Sequence, residues 1–416
     1  MSSFIIEGGK RLEGETFVSG SKNASLPIMA ATILNEGISK LYNVPKIEDT
    51  KMMIEILKEL GCKVKKDGSK VVIDSSNVHK FEISENLMRK MRSSVILAGS
   101  LIGKYKQATF SYPGGCDIGS RPIDLHLKGF KKLGIQVQEN FGKIICTTDS
   151  IVGTEINLDF PSVGATENII LASVLAEGVT YIRNAAREPE IEDLQNFLNK
   201  MGANVEGAGT NVIKVEGVHK LKEVSYNIMP DRIEAGTLLC AVATTGGKVR
   251  LKNVEIEHIK PILDKLQEAG CNIENEKNIV NLTSPKRLKA IDITTMPYPG
   301  FPTDMQSIFG AMLCTASGTS IITENIFENR FKYAQELQRM GAKIKVNGKS
   351  IIIKGTRKLY STKVKATDLR GGASMVIAGL MAKGTTEIED IKYILRGYEN
   401  VDEKLNGIGA NIKILL

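Results

Sequence analysis

Polar and apolar positions alternate along this chain in a pattern that repeats six times. Amphipathic stretches such as MMIEILKELG and YAQELQRMG place apolar residues three and four apart, which predicts helices with one buried face. Each such stretch ends at a glycine, in LGCKV (Gly61), LGIQV (Gly134), MGANV (Gly202), AGCNI (Gly270), MGAKI (Gly341) and IGANI (Gly409). Strictly alternating residues follow, as in KIKVNGKSIII, so each glycine reads as a helix C-cap before a strand hairpin.

A second phrase keeps the same beat: a polar loop, an almost wholly apolar helix, then glycine and a strand. SKNASLPIMAATILNEG, PSVGATENIILASVLAEG, PDRIEAGTLLCAVATTGG, FPTDMQSIFGAMLCTASG and ATDLRGGASMVIAGLMAKG carry it, and RKMRSSVILAGSLIG is the poorest match. A repeat of about 70 residues follows, built as strand, helix, strand, helix and paired strands. Six copies predict an α/β protein of two pseudo-threefold domains, with sheets outside and the apolar helices inside.

Polar groups at the head of a buried apolar helix are costly unless they bind something. The heads carry Lys22 and Asn23, Arg92, Ser162, Asp231 and Arg232, Asp304, and Asp368 and Arg370. Helix N-termini offer free N–H groups, so several together favour an anion. The competing reading makes Asp304, Asp368 and Ser162 simple N-caps. Arginine sharpens the choice, because only 14 of the 55 basic residues are Arg. Arg121 and Arg396 each stand 13 residues before their repeat glycine, at the expected start of a second helix. A guanidinium fork suits phosphate or carboxylate.

Length and charge narrow the function. A chain of 416 residues with 42% hydrophobic residues and net charge +8 is a globular protein of two or three domains. No apolar run reaches membrane-spanning length and the first residues lack a signal-peptide core, which predicts a cytoplasmic protein. The basic residues are dispersed and aromatics make up only 5%, so small acidic ligands fit better than nucleic acid. Six cysteines form no C-x-x-C pair and have no His at ligand spacing, which argues against zinc. Cys62, Cys146, Cys240, Cys271 and Cys314 fall at core positions. Cys116 stands apart in SYPGGCDIGSRP, a glycine-rich loop in which Arg121 could lower its pKa, the setting of a reactive thiol.

GSKNASLPIMAA, PGGCDIGSRPIDLH, NAAREPEI, FPTDMQ, FENRF, ATDLRGGAS and RGYENVDEKL together resemble the signatures of the UDP-N-acetylglucosamine enolpyruvyl transferase family, over nearly the whole chain. The resemblance implies two inverse α/β barrels, each of three βαβαββ units, with a cleft between them. It places residues 21–229 in one domain and 1–20 with 230–416 in the other. It implies transfer of the enolpyruvyl group of phosphoenolpyruvate to the 3′-hydroxyl of UDP-N-acetylglucosamine with release of phosphate. That reaction is the first committed step of bacterial peptidoglycan synthesis, and so of cell-wall biogenesis, cell shape and division.

By the same resemblance, Lys22, Arg121 and Arg396 hold the phosphate of phosphoenolpyruvate beside Asn23, and Arg370 grips its carboxylate. Arg92, Arg121, Pro122, Ile123, Asp124, Leu125, Ser162, Val163, Gly164, Asp304 and Ile326 bind the UDP-sugar. Cys116 is the proton donor to the enol methylene and the site of covalent phosphoenolpyruvate adducts and of fosfomycin alkylation. Asp304 takes the hydroxyl proton, and Asp368 orients its neighbours or assists deprotonation. The resemblance implies no metal or organic cofactor, and neither nucleic acid nor membrane as partner. Two alternatives remain open at this point: the shikimate-pathway enolpyruvyl synthase, and a nucleic-acid-binding or RNA end-processing protein of related fold.

Overall fold

A computed structural model describes residues 2–114 and 122–415; Cys116 and Arg121 lie outside them. The chain divides into two compact units, one of residues 20–114 and 122–229 and the other of residues 2–19 and 230–415.

Each unit holds three small sheets. One repeat shows the design. Strand Glu155–Asn157 leads to helix Val163–Ser173, strand Val179–Arg183, helix Pro189–Lys200 and the hairpin of Asn204–Glu206 with Val212–Glu216. Val179–Arg183 runs parallel to the first strand, in the register Tyr181↔Glu155, and antiparallel to the hairpin, in the register Ile182↔Ile213. Ile156, Ile182, Ile213 and Val215 are buried on one face. Period-two alternation thus gives each sheet a wet face and a face against the helices.

The first strand of a repeat need not adjoin it in sequence. Strand Val224–Asn227 pairs in parallel with Ile38–Tyr42 of the first repeat. Strand Glu13–Phe17 pairs in parallel with Lys248–Lys252 of the fourth. In the sixth, whose first strand is Lys363–Lys365, strand Ser3–Glu7 instead takes a hairpin place, antiparallel to both Thr385–Glu389 and Ile412–Leu415.

The apolar first helices form the core of each unit. In the second unit, helices Arg232–Thr244, Gln306–Leu313 and Leu369–Met381 pack on one another pairwise. In the first unit, Leu97–Tyr105 packs against both Lys22–Ala31 and Val163–Ser173. Burying Leu97, Leu101 and Ile102 there contributes roughly 1.5–3 kcal/mol each.

All six repeat glycines have positive φ, from +82° at Gly134 to +112° at Gly61. Gly61 donates its N–H to the Lys58 carbonyl and Cys62 donates to Leu57, and the same two bonds recur in every repeat. This is the Schellman ending, which a side chain at the left-handed position would strain.

The weak second repeat is irregular in space as well. A 3₁₀ turn, Arg92–Ile96, precedes its helix, and among the described residues its sheet has three strands, with an isolated Glu82↔Thr109 bridge where a fourth would lie. The sixth repeat corrects one expectation. Arg396 does not start a second helix but ends the short helix Lys392–Leu395. Gly397 follows, and Asn400 at φ 45° breaks the chain before helix Val401–Asn406.

Cys62, Cys146, Cys240, Cys271 and Cys314 are buried free thiols, as their repeat positions predict. Among the described residues no helix is long and apolar enough to cross a membrane.

Candidate active site

The second unit gathers its charged residues where two buried helices begin. Asp304 lies in the 3₁₀ turn Thr303–Met305 that leads into helix Gln306–Leu313. Its Oδ2 accepts from Arg370 Nη2 at 2.8 Å and Nε at 3.2 Å, and its Oδ1 accepts from Arg330 Nη2 at 2.5 Å. Both guanidiniums are 5% exposed, whereas the carboxylate side chain is 27% exposed. Burial pushes the Asp304 pKa up, but Arg370 and Arg330 outweigh it and hold the carboxyl well below the usual range. Asp304 is therefore not an N-cap; it is an ionised carboxylate clamped by two cations.

Asp368 does cap. Its Oδ1 accepts the N–H groups of Arg370 and Gly371, both at 3.0 Å, and this fixes the helix turn from which Arg370 projects. The Arg370 guanidinium also lies 5.2 Å from the centre of the Tyr398 ring. Among the described residues, Arg370 Nη1 and Arg330 Nε are buried donors without an acceptor, an arrangement that costs energy until an anion supplies one. Asp231 is a cap too, accepting from Ile233 and Glu234, while Arg232 lies over the Tyr298 ring.

Ile326 is tied into this group through Glu324. That buried carboxylate accepts from the Ile326 N–H at 2.8 Å and from Thr303 Oγ1 at 2.8 Å, and Thr303 Oγ1 accepts from Arg330 Nη1 at 2.6 Å. Arg330 and Glu324 were not singled out from sequence. The scarcity of Arg is the one signal that could have drawn notice to Arg330, inside FENRF, since its partner lies 26 residues away.

In the first unit, Lys22 and Asn23 head helix Lys22–Ala31, and Ser21 caps it by accepting the Ala24 N–H. Lys22 Nζ lies 2.9 Å from Asp49 Oδ2 at the start of helix Glu48–Glu59, another partner that the sequence did not disclose. Arg92 Nη2 reaches the Pro122 carbonyl at 3.5 Å. Ile123 precedes helix Asp124–Lys132, so Asp124 and Leu125 form its first turn. Ser162 caps helix Val163–Ser173 by accepting the Ala165 N–H, with Val163 and Gly164 in the first turn. The capping reading thus describes Ser162 and Asp368 geometrically, and fails for Asp304.

A sequence model of the EPSP synthase (3-phosphoshikimate 1-carboxyvinyltransferase) family matches residues 6–405. UDP-N-acetylglucosamine 1-carboxyvinyltransferase 2 of Caldanaerobacter subterraneus subsp. tengcongensis is 55% identical over 413 residues, 99% of each chain. The UDP-N-acetylglucosamine 1-carboxyvinyltransferase of Geobacter metallireducens is 47% identical over 413 residues, again 99% of each. Among solved structures, the enolpyruvyl transferase NikO from Streptomyces tendae superposes with a TM-score of 0.90 at 24% identity, over 99% of this chain and 98% of that one. EPSP synthase from Acinetobacter baumannii gives 0.77 at 20% identity over the whole of both chains, and at such identities these two likenesses establish the fold. With a family-wide match and relatives near half identity over the full length, the chain belongs to the enolpyruvyl transferase family, on the branch of the UDP-N-acetylglucosamine 1-carboxyvinyltransferases.

Proposed function

We propose that this protein transfers the enolpyruvyl group of phosphoenolpyruvate to the 3′-hydroxyl of UDP-N-acetylglucosamine and releases phosphate. The shikimate-pathway synthase and the nucleic-acid-binding protein fit less well, because relatives at 47–55% identity carry the sugar-nucleotide name. The geometric observation behind the proposal is the Arg330–Asp304–Arg370 cluster, in which two buried guanidiniums keep donors in reserve beside an ionised carboxylate.

In this reading Arg370 takes the carboxylate of phosphoenolpyruvate, and Arg330 joins it on geometric grounds. Lys22, Arg121 and Arg396 take the phosphate beside Asn23. Arg92, Arg121, Pro122 to Leu125, Ser162 to Gly164 and Ile326 hold the sugar nucleotide. Cys116 protonates C3 of phosphoenolpyruvate, leaving cationic character at C2. The sugar 3′-oxygen attacks C2 as Asp304 accepts its proton. Loss of phosphate and of a methyl proton from the tetrahedral adduct then restores the enol ether. Positioned acid and base contribute roughly 10²- to 10⁴-fold each.

The cluster makes the base responsive to substrate. With both arginines on it, Asp304 is a poor proton acceptor. A ligand carboxylate drawing the Arg370 donors to itself weakens that hold, and the Asp304 oxygen regains basicity as the reactants assemble.

Burial sets the other thiols aside: it pushes Cys62, Cys146 and Cys314 up to about 12 and Cys271 to about 11. That leaves room for the roles that the family resemblance implies for Cys116, as the acid and as the target of fosfomycin. Peptidoglycan synthesis, with its bearing on cell shape and division, and a cytoplasmic site of action belong to the same proposal. The test is phosphate release from phosphoenolpyruvate with UDP-N-acetylglucosamine or shikimate 3-phosphate as acceptor. Release with the sugar nucleotide alone, lost in Cys116→Ser and partly retained in Cys116→Asp, is expected. Release with shikimate 3-phosphate, or full activity in Cys116→Ser, would overturn the reading.

A further inference from the structure

Three segments of the first unit carry the proposed sugar-nucleotide contacts: Arg92 in its 3₁₀ turn, Pro122 to Leu125, and Ser162 to Gly164. One buried polar pair joins all three. Asn168, fully buried one helical turn below Gly164, accepts the Gly99 N–H on Oδ1 at 2.7 Å and donates from Nδ2 to the Val95 carbonyl at 3.0 Å. The same Nδ2 lies 2.7 Å from Nδ1 of His126, which is itself buried and directly follows Leu125.

The amide orientation is forced, because turning it over would set oxygen against the Val95 carbonyl and NH₂ against the Gly99 N–H. Nδ2 therefore has a hydrogen to give His126, and Nδ1 must be the acceptor. The imidazole is neutral, with its proton on Nε2. Two glycines permit this approach. A Cβ at Gly99 would lie 2.6 Å from Asn168 Oδ1, and one at Gly164 would lie 3.1 Å from Cε1 of His126. The ring thus rests on Gly164, inside one proposed contact segment and next to another.

We infer that the His126–Asn168 pair is a positioning device that sets the mutual register of these three segments, so that affinity for the sugar nucleotide depends on it. No step of the proposed chemistry uses a histidine, and the inference rests on the reading that UDP-N-acetylglucosamine is a substrate. His126→Leu and Asn168→Ala each leave a buried polar group unmatched, and are expected to weaken UDP-N-acetylglucosamine binding by about tenfold or more in calorimetry. kcat, and KM for phosphoenolpyruvate at saturating sugar nucleotide, should stay within about twofold. His126→Asn, which returns an acceptor near the Nδ1 position, should restore most of the affinity.

Nitrogen-15 spectra of wild-type protein at neutral pH give a second readout that needs no variant: Nδ1 of His126 should be unprotonated and Nε2 protonated. A proton on Nδ1, unchanged sugar-nucleotide affinity in folded variants, or equal loss for both substrates would overturn the inference. Wild-type protein that fails to bind UDP-N-acetylglucosamine at all would instead remove the functional reading beneath it.

Discussion

Asp304 and Glu234 are carboxylates of the same unit, each bonded to a cation, yet their surroundings drive them in opposite directions. Asp304 faces two arginines at 2.5 and 2.8 Å and remains 27% exposed. Glu234, in the buried helix Arg232–Thr244, has one lysine: Lys404 Nζ lies 2.5 Å from Oε1, and the Ser19 N–H donates to Oε2 at 2.7 Å. Its side chain is 4% exposed. Burial pushes Glu234 up to about 7, with Lys404 only partly offsetting it. Two guanidiniums and some water thus outweigh desolvation, whereas one ammonium in a dry site does not. The first arrangement suits an ionised group that must exchange partners with a ligand. The second suits a structural tie among Ser19, Glu234 and Lys404.

The largest effect that can test this contrast is on turnover. Asp304→Asn should lower it by about 10²- to 10⁴-fold, the range for losing a positioned base, the role proposed for Asp304. Because the folded-state pKa of Asp304 lies below its ordinary value of 3.8, its contribution to stability is present above that pH and lost only as pH falls through the folded value. Melting curves should therefore show no Asp304-dependent slope between about pH 5 and 9. A slope there, abolished in Asp304→Asn, would mean that the clamp does not hold the group ionised.

Sequence alone disclosed Asp304 and Arg370 but neither Arg330 nor the pairing. The repeat glycines were legible because positive φ is a local demand, met within one turn by the Schellman bonds. Burial of Cys62 and Cys271 was legible because alanine fills the same slot in other repeats. The Arg330–Asp304–Arg370 clamp joins residues 26 and 66 positions apart, and no local pattern encodes such a meeting. Arg396 was misplaced because its 13-residue spacing to Gly409 suggests a helix start, whereas Gly397 and the left-handed Asn400 interrupt the chain between them. Asp304 and Asp368 looked alike as helix-head acids. They parted only when the backbone set one carboxylate over its own N–H groups and the other between two side chains.

The next effect is on stability against pH. A carboxyl whose folded pKa is raised favours the folded state fully below its unfolded value, and that advantage is lost as pH rises through the folded one. For Glu234 the window runs from 4.5 to about 7. Wild-type stability measured against Glu234→Gln should fall across it, by at most about 3 kcal/mol. Parallel curves for the two proteins would show that Lys404 keeps Glu234 ionised, and the contrast with Asp304 would disappear.

The smallest effect is expected from removing the Glu234–Lys404 pair altogether. In Glu234→Leu with Lys404→Met, the desolvation of both charges is relieved, which often leaves a buried pair neutral or stabilising by about 1–4 kcal/mol on apolar replacement. Against this stands the Ser19 N–H, which loses its Oε2 acceptor and costs about 1–3 kcal/mol if it stays buried. The two effects nearly cancel, so the double variant should unfold within about 1 kcal/mol of wild type at pH 7. Turnover should be retained, since neither group belongs to the Arg330–Asp304–Arg370 cluster. A loss of activity in a stably folded double variant would mean that the tie transmits its geometry to the chemistry, and the separation of structural from reactive carboxylate would fail.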